Sequence, residues 1–125
     1  MYPGICQNRI RVRSRRRQMI EAYNDAFRML PVTVPEHYSN FHSSSGHLYL
    51  VRLDGKSREE TNKVIEAMAE RGIACNVHYK PLPMMTAYKA LGYDIKDFPN
   101  AFAQFENEIT LPMHTRLSDD DVHYD

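Results

Sequence analysis

The stretch NVHYKPLP, residues 76–83, sets an imidazole, a phenol and an ammonium on three consecutive residues, His78, Tyr79 and Lys80. They fall where a run of strand-like sequence ends in a turn fixed by Pro81 and Pro83. Strand ends commonly present ligand groups, and this trio suits a polar, phosphate-bearing small molecule. The competing reading is an ordinary solvated strand end. Ser/His/Asp order, a P-loop and a GxGxxG are all missing from the sequence.

Other reactive residue types are less well arranged. His37, His42 and His47 recur every five residues, which aligns them on neither a helix nor a strand face. Zinc ligands come in tighter pairs with Cys or carboxylate company, so a metal site is not expected here. Cys6 and Cys75 form no CxxC and have no neighbouring His, and read as buried or idle thiols. Asp119, Asp120 and Asp121 follow Ser118 and read as the acidic first turn of a helix, not as a catalytic acid pair.

Charge is distributed unevenly. The 125 residues carry 16 basic and 16 acidic side chains, yet Arg9, Arg11, Arg13, Arg15, Arg16 and Arg17 crowd the first 17 residues, which hold no acid. This run is either a phosphate-binding arm or the solvated start of a helix. Neither aromatic or glycine interleaving nor a known nucleic-acid motif accompanies it, which weighs against nucleic acid as a partner. With 42% hydrophobic and 26% charged residues, the composition is that of one globular domain. Disorder, collagen and coiled coil are excluded, and no apolar run is long enough to span a membrane. Two cysteines, seven methionines and the lack of an export signal point to the cytoplasm.

These side chains need elements to position them. Met19, Tyr23, Phe27 and Leu30 recur at helical spacing, predicting an amphipathic helix over about 15–30 that Pro31 stops. Residues 31–46 read as loop or edge strand, and HLYLVRL (47–53) as a strand. Ser57 and Glu60 spell a capping box for a helix that presents Thr61, Val64, Ile65 and Met68 on one face and closes at Gly72. IACNVHY (73–79) reads as a strand, 84–91 and 99–106 as short helices, and EITLP (108–112) as a last strand. Ser118 then caps a terminal helix. The predicted fold is a two-layer α+β sandwich with about three strands and helices on one face.

Four segments together carry a family resemblance: RRRQMIEAYNDAF (15–27), SGHLYLVRL (45–53), AERGIACNVHYKPLP (69–83) and ENEITLPMHTRLSDDDVHY (106–124). They resemble the C-terminal small domain of the DegT/StrS family, the pyridoxal-phosphate-dependent nucleotide-sugar aminotransferases of fold type I. The RGI and HY-x-P segments are the most specific landmarks. The resemblance divides the chain into an Arg-rich linking helix (1–31) and a small domain (32–125). Tyr2-Pro3-Gly4-Ile5 resembles the middle of the family's linking helix, and Asp125 falls inside its final helix, so the chain is expected to be a fragment.

The resemblance implies amino transfer from an amino acid to a keto-sugar linked to a nucleotide, in polysaccharide or glycan synthesis. It implies His78 first, Tyr79 second and Lys80 third as substrate contacts, Lys80 through diphosphate charge. His47 and Tyr49 would be cleft-side support. Pyridoxal phosphate is the family's cofactor, but the lysine that binds it belongs to a larger N-terminal domain. None of Lys56, Lys63, Lys80, Lys89 or Lys96 sits in that context. The chain alone is therefore expected to bind no cofactor and to hold no catalytic residue. The alternatives are a stand-alone nucleotide-sugar binding module or a self-associating remnant of a truncated gene. Loss of the large domain would bare an apolar face, so a homo-oligomer is expected, with a separate large domain as a further partner.

Overall fold

The computed structural model describes residues 3–124, with side chains from residue 7 onward. Tyr2, Asp125 and the Cys6 side chain, on which expectations above also bear, lie outside the described residues. In chain order the elements are α1 (Pro3–Phe27), β1 (Val32–Thr33), β2 (Tyr49–Leu53), α2 (Arg58–Glu70), α3 (Thr86–Ala90), α4 (Pro99–Glu106), β3 (Glu108–Leu111) and α5 (Asp119–Tyr124). Single 3-10 turns at Leu82–Met84 and Ile95–Asp97 precede α3 and α4. The three strands form an antiparallel sheet in the order β1-β2-β3. This is the expected α+β fold.

Helix α1 starts well before the predicted residue 15 and stops at Phe27 rather than Leu30. Arginine is a good helix former, so the Arg run extends the helix instead of preceding it. Its end follows from Pro31, which drives Leu30 out of helical geometry. Leu30 N–H closes the last turn on the Phe27 carbonyl at 3.0 Å, and the Leu30 side chain is exposed.

Met19, Ile20 and Tyr23 of α1 meet Tyr49 and Val51 of β2, Ile109 and Leu111 of β3, and Val122 of α5 in one buried cluster. Alternate residues of β2 and β3 supply it, as strand geometry requires. Burying each aliphatic side chain stabilises the fold by roughly 1.5–3 kcal/mol. Within the cluster, the Tyr49 ring packs on Tyr23 at 4.9 Å, and it lies parallel to His37 at 5.6 Å.

The expected capping box is present. Glu60 N–H donates to Ser57 Oγ at 3.3 Å, and Ser57 N–H donates to Glu60 Oε2 at 2.9 Å. At the other end of α2, Gly72 (φ +84°) donates to the Ala69 carbonyl and Ile73 to that of Met68. This is the paired closure of a Schellman motif.

Residues 73–79 correct the prediction. They form no strand, only a single antiparallel bridge between Asn76 and Thr110. Asn76 and Thr110 exchange both backbone hydrogen bonds, at 3.1 and 2.8 Å. The ladder then stops because side chains take the next donors. Val77 N–H donates to Asn76 Oδ1 at 2.8 Å, and His78 N–H to Glu108 Oε2 at 3.1 Å. The third strand is instead β1, within the segment read as loop or edge strand.

Candidate functional site around His78

Strand β3 is buried along its whole length, but its two faces differ in chemistry. Ile109 and Leu111 enter the apolar cluster, so Glu108 and Thr110 share the opposite face. The bridge at Asn76 brings the 76–80 segment alongside that face. The Thr110 hydroxyl donates to Glu108 Oε1 at 2.6 Å and lies 2.9 Å from His78 Nδ1. With the His78 N–H on Oε2, His78 is held at two points by one carboxylate and one hydroxyl.

His78 itself is half-buried, whereas Tyr79 is 70% exposed and Lys80 is exposed. The His78 and Tyr79 rings meet edge to face at 4.6 Å across a cis peptide. The structure thus joins the first two predicted contacts into one aromatic pair beside the sheet. Lys80 stands next to them in sequence, with no side-chain partner among the described residues.

The electrostatics converge on Glu108, which is 1% exposed. Burial pushes its carboxyl above the usual carboxylate range, against the Thr110 hydrogen bond, the His78 N–H and the charges of His78 and Arg58. Arg58, at the start of α2, donates through Nη1 to the carbonyls of Phe105 (2.7 Å) and Glu108 (3.1 Å). Burial lowers the Arg58 value, and the nearby Glu108 charge opposes that.

Other predicted residues lie elsewhere. Tyr49 is wholly buried in the core, and its hydroxyl donates to Asn24 Oδ1 at 2.7 Å, so it reaches no surface. His47 is exposed just before β2. His37 is buried beside Ser44, and His42 holds the Glu36 carbonyl at 2.8 Å. No metal-holding cluster of His, Cys, Asp or Glu occurs among the described residues. Sequence reasoning missed Glu108 and Thr110. The available signal was a carboxylate and a hydroxyl two apart in an otherwise apolar strand.

Pyridoxal phosphate asks for a lysine amine in an enclosed cleft, with an acid against its ring nitrogen. All five lysines are exposed, and Lys56 and Lys63 lie beside Glu60 and Glu59 one helical turn away. The residues present do not by themselves form such a pocket. After the 76–80 segment the chain exposes apolar side chains, among them Leu82, Leu91, Tyr93 and Phe98. Pro81, Tyr88, Tyr93 and Phe98 line a shallow hollow of about 380 Å³ there.

Known proteins resemble the chain over most of its length. The profile of the DegT/DnrJ/EryC1/StrS aminotransferase family matches residues 9–124. The spore coat polysaccharide biosynthesis protein SpsC of Bacillus subtilis is 31% identical over 89% of this chain and 29% of its own length. A UDP-4-amino-4,6-dideoxy-N-acetyl-beta-L-altrosamine transaminase of Helicobacter pylori is 29% identical over 83% of this chain and 28% of its own. Among solved structures, the PLP form of the sugar aminotransferase Spr1654 of Streptococcus pneumoniae superimposes with a TM-score of 0.88. It is 48% identical over 90% of this chain and 29% of its own. The chain therefore spans less than a third of the relatives it matches. No helix among the described residues is long and apolar enough to cross a membrane.

Proposed function

Since the chain belongs to the DegT/DnrJ/EryC1/StrS aminotransferase family, we propose that it forms the substrate-side wall of a sugar aminotransferase cleft. The activity served is amino transfer to a nucleotide-linked keto-sugar. The observation that carries this reading is the anchored pair at residues 78 and 79. His78 is fixed from behind by Thr110 and Glu108, while Tyr79 stands 70% exposed against it. A fixed imidazole and an open phenol are suited to hydrogen-bond sugar hydroxyls. Lys80 adds a cation for a diphosphate, so the order of contribution is His78, Tyr79, Lys80. Family enzymes use pyridoxal phosphate, and here a larger domain would supply its lysine. Residues 1–31 would link to that domain and 32–125 make up the wall. The same reading keeps the chain in the cytoplasm.

Titration calorimetry with a panel of UDP- and dTDP-linked sugars tests it. Heat with at least one sugar, lost in His78→Ala and reduced in Tyr79→Phe, supports the wall. No heat with any member overturns binding by the chain alone. Added pyridoxal phosphate should give no new visible absorbance band with the fold intact.

A second reading rests on a separate observation. Leu82, Leu91, Tyr93 and Phe98 are each at least 40% exposed on one continuous stretch. Such a patch favours self-association. Among the described side chains of the N-terminal helix, Ile10 is 67% exposed. Light scattering should find a dimer or larger species that Leu91→Glu with Phe98→Glu dissociates. A monomer at high concentration removes this reading.

A further inference from the structure

The carboxylate behind His78 has a consequence for the proton on its ring. Glu108 Oε1 accepts from the Thr110 hydroxyl at 2.6 Å, and the same hydroxyl lies 2.9 Å from His78 Nδ1. A threonine hydroxyl has one proton to give. With Glu108 ionised, that proton goes to the carboxylate, so Thr110 meets the ring only as an acceptor. Nδ1 must then carry hydrogen. In the neutral imidazole this leaves Nε2 as a lone-pair acceptor. Nε2 makes no hydrogen bond among the described residues and is not among their buried unpartnered atoms, so it opens to solvent.

We propose, resting on the reading of His78 as a substrate contact, that Glu108 and Thr110 are positioning residues that set the polarity of His78. They hold the ring as the Nδ1–H tautomer and present Nε2 to a donor hydroxyl or amine of the sugar. The relay is reversible. With a proton on Glu108, the carboxyl would turn its hydrogen bond towards Thr110 and Thr110 would turn its own towards Nδ1. Nδ1 would give up its proton to solvent water while Nε2 takes one from it, so the ring stays neutral. His78 would then offer an N–H where it had offered a lone pair. The titratable and charged groups facing Glu108 are Arg58 from α2 and His78 from the bridging segment; the Arg58 guanidinium and the His78 backbone N–H favour the ionised carboxylate.

Nitrogen NMR of the full chain with labelled histidines reads the tautomer directly, at a pH well above the usual histidine range. In the unsubstituted chain, Nδ1 of His78 is expected to be protonated and Nε2 bare, by about tenfold. Glu108→Gln imitates the protonated carboxyl: its amide oxygen accepts from His78 N–H and its NH2 donates to Thr110. The tautomer should therefore invert. Thr110→Val should return the ring to the mixture shown by free imidazole, and Thr110→Ser should restore the original assignment. An unchanged tautomer in Glu108→Gln and Thr110→Val overturns the relay. If Glu108→Gln does not fold, the Val and Ser pair decides alone. Adding a UDP-sugar and following the same nitrogens separates this from the underlying reading. Sugar-induced shifts without tautomer control sink the relay alone. Tautomer inversion without any sugar-induced shift sinks the substrate contact alone.

Discussion

Arg15 and Asp119 stand 104 residues apart in sequence and 2.6 Å apart in space. The same guanidinium donates to the Leu117 carbonyl at 2.7 Å, so one side chain of α1 holds both the entry and the first turn of α5. Asp119 is largely exposed, so the ion pair by itself contributes little. The bond to a half-buried carbonyl contributes more. Arg15→Ala should cost about 1–2 kcal/mol in urea unfolding, and Asp119→Ala less than about 1. Equal losses from both variants would show that the pair, not the carbonyl contact, fastens α5.

The start of α2 depends on Ser57. Its hydroxyl and the Glu60 carboxylate satisfy two backbone donors that the helix cannot. Those contacts also hold the Glu60 carboxyl below its usual range, chiefly through the Ser57 backbone bond. Ser57→Ala should destabilise the chain by about 1 kcal/mol. The denaturation midpoint should fall with an unchanged slope, because the folded surface is the same.

Both ends of α2 were legible because their partners lie within five residues. Ser57 meets Glu60, and Gly72 closes on Ala69. The strand expected at 73–79 failed for the opposite reason. Its alternation of apolar and polar residues is real, but His78 N–H is taken by a carboxylate 30 residues away. Periodicity counts faces and cannot see a distant side chain competing for a backbone donor. The site shows the same division. Three adjacent polar residues nominated 78–80, whereas Glu108 and Thr110 matter only because the bridge at Asn76 brings β3 to them. The resemblance puts Tyr49 with His47 as cleft-side support, whereas its ring is buried in the core against Tyr23.

Gly46 is required for two reasons. Its φ is +65°, and a Cβ there would lie 3.1 Å from Arg16 Cβ and 3.2 Å from Ile20 Cδ1. The connector from β1 to β2 can cross α1 only where a side chain is missing. Gly46→Ala should cost about 1–3 kcal/mol, from backbone strain and displaced packing together. A loss of a few tenths in thermal or urea unfolding would mean that the connector gives way without disturbing α1.

His37 supplies an acid sensitivity. Burial lowers its value below 6.5, so the folded chain resists the proton that the unfolded chain accepts. Stability is fully present above 6.5 and falls as pH drops toward the folded value. His37→Phe keeps the stack on Tyr49 and removes the titration. Its unfolding midpoint should lose less than that of the unsubstituted chain between neutral pH and pH 5. Parallel curves would assign the acid loss to other groups.

Glu108 acts in the opposite sense. Its carboxyl is raised above 4.5, chiefly by burial, so the folded chain holds the proton more tightly than the unfolded chain. The associated stability is present below 4.5 and is lost as pH rises through the folded value. Glu108→Gln cannot titrate, so it should lose this component while keeping the acid loss from His37. The difference in unfolding midpoint between Glu108→Gln and the unsubstituted chain should therefore shift in favour of Gln as pH climbs from 4 towards neutrality. A difference that stays constant over that range would mean that Arg58 and the His78 N–H compensate the buried charge completely.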